Sequence, residues 1–282
     1  MRADLHSHSN ASDGTDGPAE VMRQAAAAGL DVIALTDHDT VAGHQQAIAA
    51  LPDGLTLLPG MELSCRLDGH SVHMLSYLFD SGNEDLAAEL ARIRDSRLNR
   101  ARAMVDRLAA LGAPVTWEQV SAIAAGGVVG RPHIARAMVE AGVVADVAEA
   151  FTPDWIGPGG RAHVTRYALP PRRAIDLVTA AGGVTVLAHP RGNGRGWQIP
   201  DAVIADLAAA GLTGLEVNHP QHEAAVRAQL AGLAAELNLV ASGGSDDHGD
   251  LTGHRIGTET APADAYERLV SAATGAVPVT GR

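Results

Sequence analysis

Two histidines separated by a single residue, His6 and His8, stand near the start of this 282-residue chain, with Asp13 close behind. On a β-strand the side chains at i and i+2 point to the same side, so the two imidazoles stand together. Imidazole with carboxylate is a ligand set for a borderline divalent cation such as Zn, Mn or Fe. A second pair with the same spacing, Asp246 and His248, lies in Ser245-Asp246-Asp247-His248. Between the pairs come His38 in Asp37-His38-Asp39, Glu62 after Gly60-Met61, His73, and His189 before Pro190. These are six histidines and three carboxylates, whereas one catalytic zinc needs about three protein ligands. Such a set is large enough for two or three ions. Metals about 3.5–4 Å apart can clamp the attacking and leaving oxygens of an in-line displacement, and phosphate ester hydrolysis uses that arrangement most naturally.

Residues so far apart in sequence meet only if the elements carrying them end at one place. Alternating apolar runs predict strands over 2–6, 31–36, 56–62 and 71–77, then over 184–188, 214–217 and 239–242. Helical spacing of apolar residues predicts helices over 16–29, 41–50, 171–181, 201–210 and 224–237. Pro18 near the start and Gly29 at the end of the first helix fit the usual asymmetry of helix ends. The candidate ligands fall within or just after the strands, and β/α barrels place chemistry at the C-terminal ends of their strands. The fold expected is therefore α/β, a (β/α) barrel in residues 1–82 and 167–282. From 83 to 166 the pattern turns helical, with helices over 83–111, 116–125 and 131–141 and a Gly/Pro-rich return over 154–160. That segment is expected to be a helical insertion, or cap.

Composition narrows the function classes. Hydrophobic residues make up 46% of the chain and aromatics only 3%, so the core is expected to be built from Ala, Val and Leu. No run of about 18 apolar residues is present, which argues against a transmembrane span. A single cysteine, Cys65, excludes an intramolecular disulfide and, with no visible secretory signal, suits a reducing cytoplasm. A net charge of −12 argues against loose binding to nucleic acid. All 21 basic residues are arginine, six of them (Arg92, Arg94, Arg97, Arg100, Arg102 and Arg107) in the first insertion helix.

Taken together, DLHSHS, Asp13, TDHD, GME, VHML, LAHP and GSDDH occur in the order seen in the PHP (polymerase and histidinol phosphatase) superfamily, which the chain resembles. The resemblance implies a distorted (β/α)7 barrel and a metal-dependent phosphoric monoester hydrolase with two or three divalent ions, Mn first, with Fe, Zn or Mg as alternatives. It further implies that His6, His8, Glu62 and Asp246 hold one ion, Glu62, His73 and His189 a second, and Asp13, His38 and His248 a third. The segment Gly130-Arg131-Pro132-His133-Ile134-Ala135-Arg136, with Phe151 and the glycines after it, looks like the cap of 3′,5′-nucleoside bisphosphate phosphatases.

The activity so implied is removal of the 3′-phosphate from 3′,5′-nucleoside bisphosphates, pAp to AMP and phosphate, by a metal-activated hydroxide. His189, Asp246 and Arg191 are the expected catalytic residues. Arg97, Arg100, Arg131, His133, Arg191 and His222 are the expected substrate contacts, because guanidinium groups match phosphate bidentately and a helix start at Arg131 favours an anion. The partners expected are a nucleotide bisphosphate or a short 5′-phosphorylated RNA, with no membrane and no stable protein partner. The rival readings are a 5′→3′ exoribonuclease, a histidinol-phosphate-type phosphatase and, last, a noncatalytic metal-binding module.

Overall fold

Period-2 burial builds the sheet. In β2 (Val32–Leu35), Val32 and Ala34 face one apolar cluster, while Ile33 and Leu35 face another that they share with Val21, Met22 and Ala25 of α1 (Pro18–Ala27). Seven strands follow one another around the sheet in chain order. They are β1 (Ala3–Asp4), β2, β3 (Thr56–Leu67), β4 (His70–Tyr77), β5 (Val184–Leu187), β6 (Gly214–Asn218) and β7 (Val240–Gly243). The computed structural model describes residues 1–192, 197–253 and 255–282. Leu5 N donates to Gly243 O (3.2 Å) and Asp246 N to His6 O (2.8 Å), so the last strand returns to the first and the barrel is nearly closed. Leu5, Ala34, Leu58, Leu75, Tyr77, Val186 and Val240 fill its interior. Helices α1, α2 (His44–Ala49), α7 (Pro171–Ala180), α8 (Asp201–Ala209) and α9 (Ala224–Glu236) alternate with the strands.

One strand breaks the parallel pattern. β4 pairs antiparallel with both β3 and β5, because β3 runs on to Leu67 and folds back through Asp68-Gly69. Both turn residues have positive φ (47° and 83°), the backbone of a tight two-residue hairpin that twists with its strands. The sequence reading stops this strand at residue 62 and overlooks the Asp-Gly signal. The reversal matters for the site. His73 lies opposite Ser64, so it reaches the same mouth as Glu62 from the early part of its strand rather than from a C-terminal end.

The helical segment predicted between β4 and α7 is present as α3 (Glu84–Ala110), α4 (Trp117–Ala124) and α5 (Arg131–Glu140), with a short α6 (Val147–Ala150) that spacing does not predict. Asn83 Oδ1 caps α3 by accepting from Leu86 N (3.0 Å), and Glu84 and Asp85 complement its dipole. Packing divides α3 in its middle. Leu86, Leu90 and Ile93 join the cluster around α7, while Ala101, Met104, Val105 and Leu108 join the separate core of α4 and α5. Arg97 and Arg100 lie between these stretches and are buried (5% and 8% exposed). The helix is thus a strut shared by both cores. The loop before α5 docks on the barrel: Val128 N donates to Ala11 O (3.0 Å), and a Cβ at Gly127 would stand 2.4 Å from Asn10 O.

Two further elements escape the spacing rules. The helix α10 (Ala265–Ala272) places Ala265 and Leu269 in the interior cluster near the start of β1, and β8 (Val279–Thr280) pairs with β3. Cys65 is fully buried in β3 among apolar residues, as expected, and burial pushes its thiol pKa well up. No helix among the described residues is long and apolar enough to cross a membrane.

Candidate metal centre

His6, His8, His38, His189, Asp246 and His248 follow closely on the ends of barrel strands, Asp13 lies farther along the loop after β1, and Glu62 and His73 lie within β3 and β4. Two of the candidates, His189 (26°) and Asp246 (51°), and Asp39 beside His38 (56°) have positive φ on non-glycine residues. Such backbone is sparsely populated and persists where surrounding contacts over-determine it. Around His38 the contacts are visible. Asp37 accepts from Ser9 N (2.8 Å), Ser9 Oγ (2.7 Å) and Ser12 Oγ (2.7 Å), while Asp39 accepts from Ser64 N (2.7 Å) and Ser64 Oγ (2.7 Å). The two aspartates therefore clamp neighbouring loops and leave His38 between them pointing at the mouth.

All nine predicted ligand candidates come to one place. His6, His8, Glu62 and Asp246 offer donor atoms within 4.8 Å of one another, as do His8, Asp13, His38 and His248, and likewise His38, Glu62 and His73. His189 Nε2 lies 2.9 Å from Glu62 Oε1, and His73 Nδ1 lies 2.7 Å from the same oxygen. Glu62 Oε2 is 3.0 Å from His38 Nδ1 and 3.3 Å from His8 Nε2, so one carboxylate stands between several imidazoles.

The donor set fits divalent ions on its own geometry. His6 Nε2 and His8 Nε2 are 3.1 Å apart, and both face Asp246 Oδ1 (3.1 and 3.2 Å). His8 Nδ1 is buried without a hydrogen-bond partner. Polar atoms left so at the heart of a buried cluster are costly unless something else satisfies them. Electrostatics agree. Burial pulls the His6 pKa down, but the carboxylates of Asp246, Glu216 and Glu62 outweigh it and hold it well above the ordinary value. His8 is similarly raised, to about 10, against its own burial, by Asp246 and Glu62. Burial would raise Asp13, Glu62 and Asp246, yet the surrounding imidazoles hold all three carboxyls well below their usual range. His38 is the exception, pushed down to about 3 by burial. The carboxylates of the pocket favour added positive charge, which a divalent ion would supply.

Two nearby residues lie outside the expected ligand set, Glu216 within β6 and His219 in the turn after it. Glu216 Oε1 is 2.9 Å from His6 Nδ1, and Glu216 Oε2 accepts from the backbone N–H of His189 (2.6 Å). His219 Nε2 lies 3.2 Å from Asp246 Oδ2. Their signal was positional. Glu216 lies in the middle of the sixth strand, two residues before its end, and a carboxylate in an apolar strand has no spacing rule to mark it.

The expected substrate contacts divide. Arg97 is spent on the seam, with Nε donating to Asp39 Oδ2 (2.6 Å) and a terminal nitrogen to Ser64 Oγ (2.7 Å). Arg100 is different: its Nε is buried with no hydrogen-bond partner. Burial, together with Arg97, Arg166 and Arg131 nearby, holds its pKa well below that of a free guanidinium. Burial, with Arg97, Arg131 and Arg66 nearby, pushes Arg166, which is not among the expected contacts, down to about 9. Arg131 lies over the Phe151 ring at 5.2 Å. His133 is buried and accepts from Gly130 N through Nδ1 (2.9 Å), so it ties the start of α5 rather than facing solvent.

Two expectations are corrected. Arg191 does not turn toward the reacting centre; its guanidinium binds Asp201 on α8 and Gln229 on α9 (3.1 Å). His222 is 2% exposed and its Nδ1 bonds to Val217 O (2.9 Å), so it fastens the turn after β6 rather than offering a substrate contact. In both cases proximity in sequence to the site was mistaken for orientation.

Comparison with known proteins places this geometry. The PHP domain profile matches residues 4–113. A 5′-3′ exoribonuclease of Haemophilus influenzae is 36% identical over 246 residues, covering 87% of this chain and 89% of the relative. A 3′,5′-nucleoside bisphosphate phosphatase of Chromobacterium violaceum is 35% identical over 254 residues, covering 89% of each. Among solved structures, a proposed metal-dependent phosphoesterase of Bifidobacterium adolescentis superposes with a TM-score of 0.90 at 34% identity, over 96% of both chains. With the nearly closed barrel and the histidine–carboxylate mouth already in view, the chain belongs to the PHP family and is a hydrolase of phosphoesters.

Proposed function

We propose that this enzyme removes the 3′-phosphate from 3′,5′-nucleoside bisphosphates, and that the reading rests on one observation: a knot of arginines beside the metal mouth, two of them buried (Arg97 and Arg100) and two half-buried (Arg131 and Arg166). Arg97, Arg131 and Arg166 stand close enough to Arg100 to help depress its pKa, and Asp39 is the carboxylate set against them. The start of α5 approaches the same place, since a Cβ at Gly130 would lie 3.5 Å from Asp13 Oδ2 and 3.8 Å from an Arg97 nitrogen. Guanidinium groups and a helix N-terminus suit a phosphate that is held while another is cleaved.

His6, His8, Glu62 and Asp246 would hold one ion, Glu62, His73 and His189 a second, and Asp13, His38 and His248 a third. Ions bound there lower the pKa of a water and offset charge on the phosphoryl oxygens. The chain's own residues do the rest. Arg100, Arg131 and Arg166 orient the second phosphate, so that the scissile ester faces the partly exposed Asp246, His248 and His73. His189 Nε2 faces Glu62, so that nitrogen serves as a ligand and is not available to protonate the leaving oxygen. A 5′→3′ exoribonuclease is the second reading, supported by the Haemophilus relative, and needs the same arginine knot for a 5′-phosphate.

Phosphate release should be compared, with Mn added, on 3′,5′-adenosine bisphosphate, histidinol phosphate and short 5′-phosphorylated RNA. The proposal expects the bisphosphate to be the best substrate, and absence of 3′-phosphate release from it would overturn the assignment. Faster release of mononucleotides from RNA would favour the second reading.

A further inference from the structure

Strand β6 delivers no residue of the expected ligand set, yet it and the turn after it carry two buried polar side chains aimed at that set. Glu216 is fully buried and both its oxygens are committed, one to His6 Nδ1 (2.9 Å) and one to the His189 backbone N–H (2.6 Å). His219 is 1% exposed. Its Nδ1 accepts the backbone N–H of Gln221 (3.1 Å), so in the neutral ring the proton sits on Nε2, which donates to Asp246 Oδ2 (3.2 Å).

These bonds decide what each residue can do. With Nδ1–H held by Glu216, the neutral His6 ring has its bare Nε2 toward His8 Nε2, Asp246 Oδ1 and Glu62 Oε2 (3.1, 3.1 and 3.5 Å). For His219 to ligate an ion through Nε2, its proton would have to move to Nδ1, where it would meet the N–H of Gln221 head on. Each Glu216 oxygen already accepts one hydrogen bond, so the carboxylate is oriented by His6 and by the His189 backbone. We propose that Glu216 and His219 are positioning residues: Glu216 fixes the tautomer of His6 and the strained backbone of His189, and His219 aims Asp246. Three expected ligands from three different loops are thereby set by one strand and the turn after it. Outer partners of this kind typically alter metal affinity 10–100-fold. The inference rests on the metal-binding reading of the mouth.

The test is Mn(II) binding to the chelated and dialysed full chain, read as ions per chain and affinity, in wild type, Glu216→Ala, His219→Leu and His219→Gln. The expected result is binding about 10–100-fold weaker in Glu216→Ala and His219→Leu, with the number of ions unchanged. His219→Gln keeps an N–H donor for Asp246 and should recover to within about threefold of wild type. On the bisphosphate, at saturating Mn, kcat should fall with KM nearly unchanged. If His219→Gln loses an ion as His219→Leu does, His219 is itself a ligand and the proposal fails. It also fails if wild type binds Mn and the variants bind it equally well. Wild type that binds no Mn would overturn the metal reading and this inference together. Should Glu216→Ala not fold, the two His219 variants decide the matter.

Discussion

A buried guanidinium with an unpartnered Nε, as at Arg100, is costly to the folded chain, and an anion would relieve the cost. Arg131→Ala and Arg100→Ala are therefore expected to raise KM for 3′,5′-adenosine bisphosphate at least tenfold while changing KM for an aryl phosphate little. Equal effects on both substrates would show that the knot does not read the second phosphate. Asp39 carries the opposite role. Burial would raise its carboxyl, but Arg97 holds it down at about 2 against an ordinary 3.8. A depressed carboxylate stabilises the fold at all pH above its unfolded value, and the contribution is lost as pH falls through the folded one. Asp39→Asn should lower stability at pH 7 by about 3 kcal/mol, because Arg97 is left buried and uncompensated. Its denaturation midpoint should also change less than that of wild type between pH 4 and about pH 2. An unchanged midpoint at pH 7 would mean that the ion pair does not hold the seam.

At the scale of elements, the long α3 and the loop before α5 bring the arginines over the mouth. The contact at Gly127 has no room for a side chain, since Asn10 O would sit 2.4 Å from a Cβ. Gly127→Val should therefore loosen the cap from the loop that follows His8, while the barrel core is left as it is. The expected signature is faster amide exchange over α5 and a higher KM for the bisphosphate, with Mn affinity within about twofold of wild type. Lost Mn binding would instead indicate that the loop carrying Asp13 had collapsed. The β3–β4 hairpin works at the same scale. By reversing β4 it lets His73 join Glu62, which a uniformly parallel barrel would not do.

The whole molecule couples charge, metal and stability. Net charge is −12, yet arginines gather at the seam and carboxylates gather with imidazoles at the mouth. In the metal-free chain His8 is raised from 6.5 to about 10, so its protonated form stabilises the fold fully below about pH 6.5 and that support fades as pH rises toward 10. Metal must displace such protons, so its binding strengthens over the same range. The melting temperature of the chelated protein should accordingly fall between pH 6.5 and 9, and the gain on adding Mn should grow. Parallel melting curves with and without Mn across that range would count against a metal-filled mouth.

The ligand types and their i, i+2 spacing were legible in the sequence because a strand's period of two is local. So were the helix ends to within a few residues, those of α3 among them, where the Asn83 cap is also local. The reversed β4, the docking of α10 in the barrel interior and the seam through the middle of α3 depend on which surfaces meet, and no spacing rule encodes that. Orientation was decided by tertiary structure in the same way. Arg191 and His222 lie close in sequence to the site yet bond away from it, while Arg166, Glu216 and His219 were brought to it by contacts between distant segments. Side-chain type limits what chemistry a residue can do, but only packing fixes which neighbour its polar atoms face.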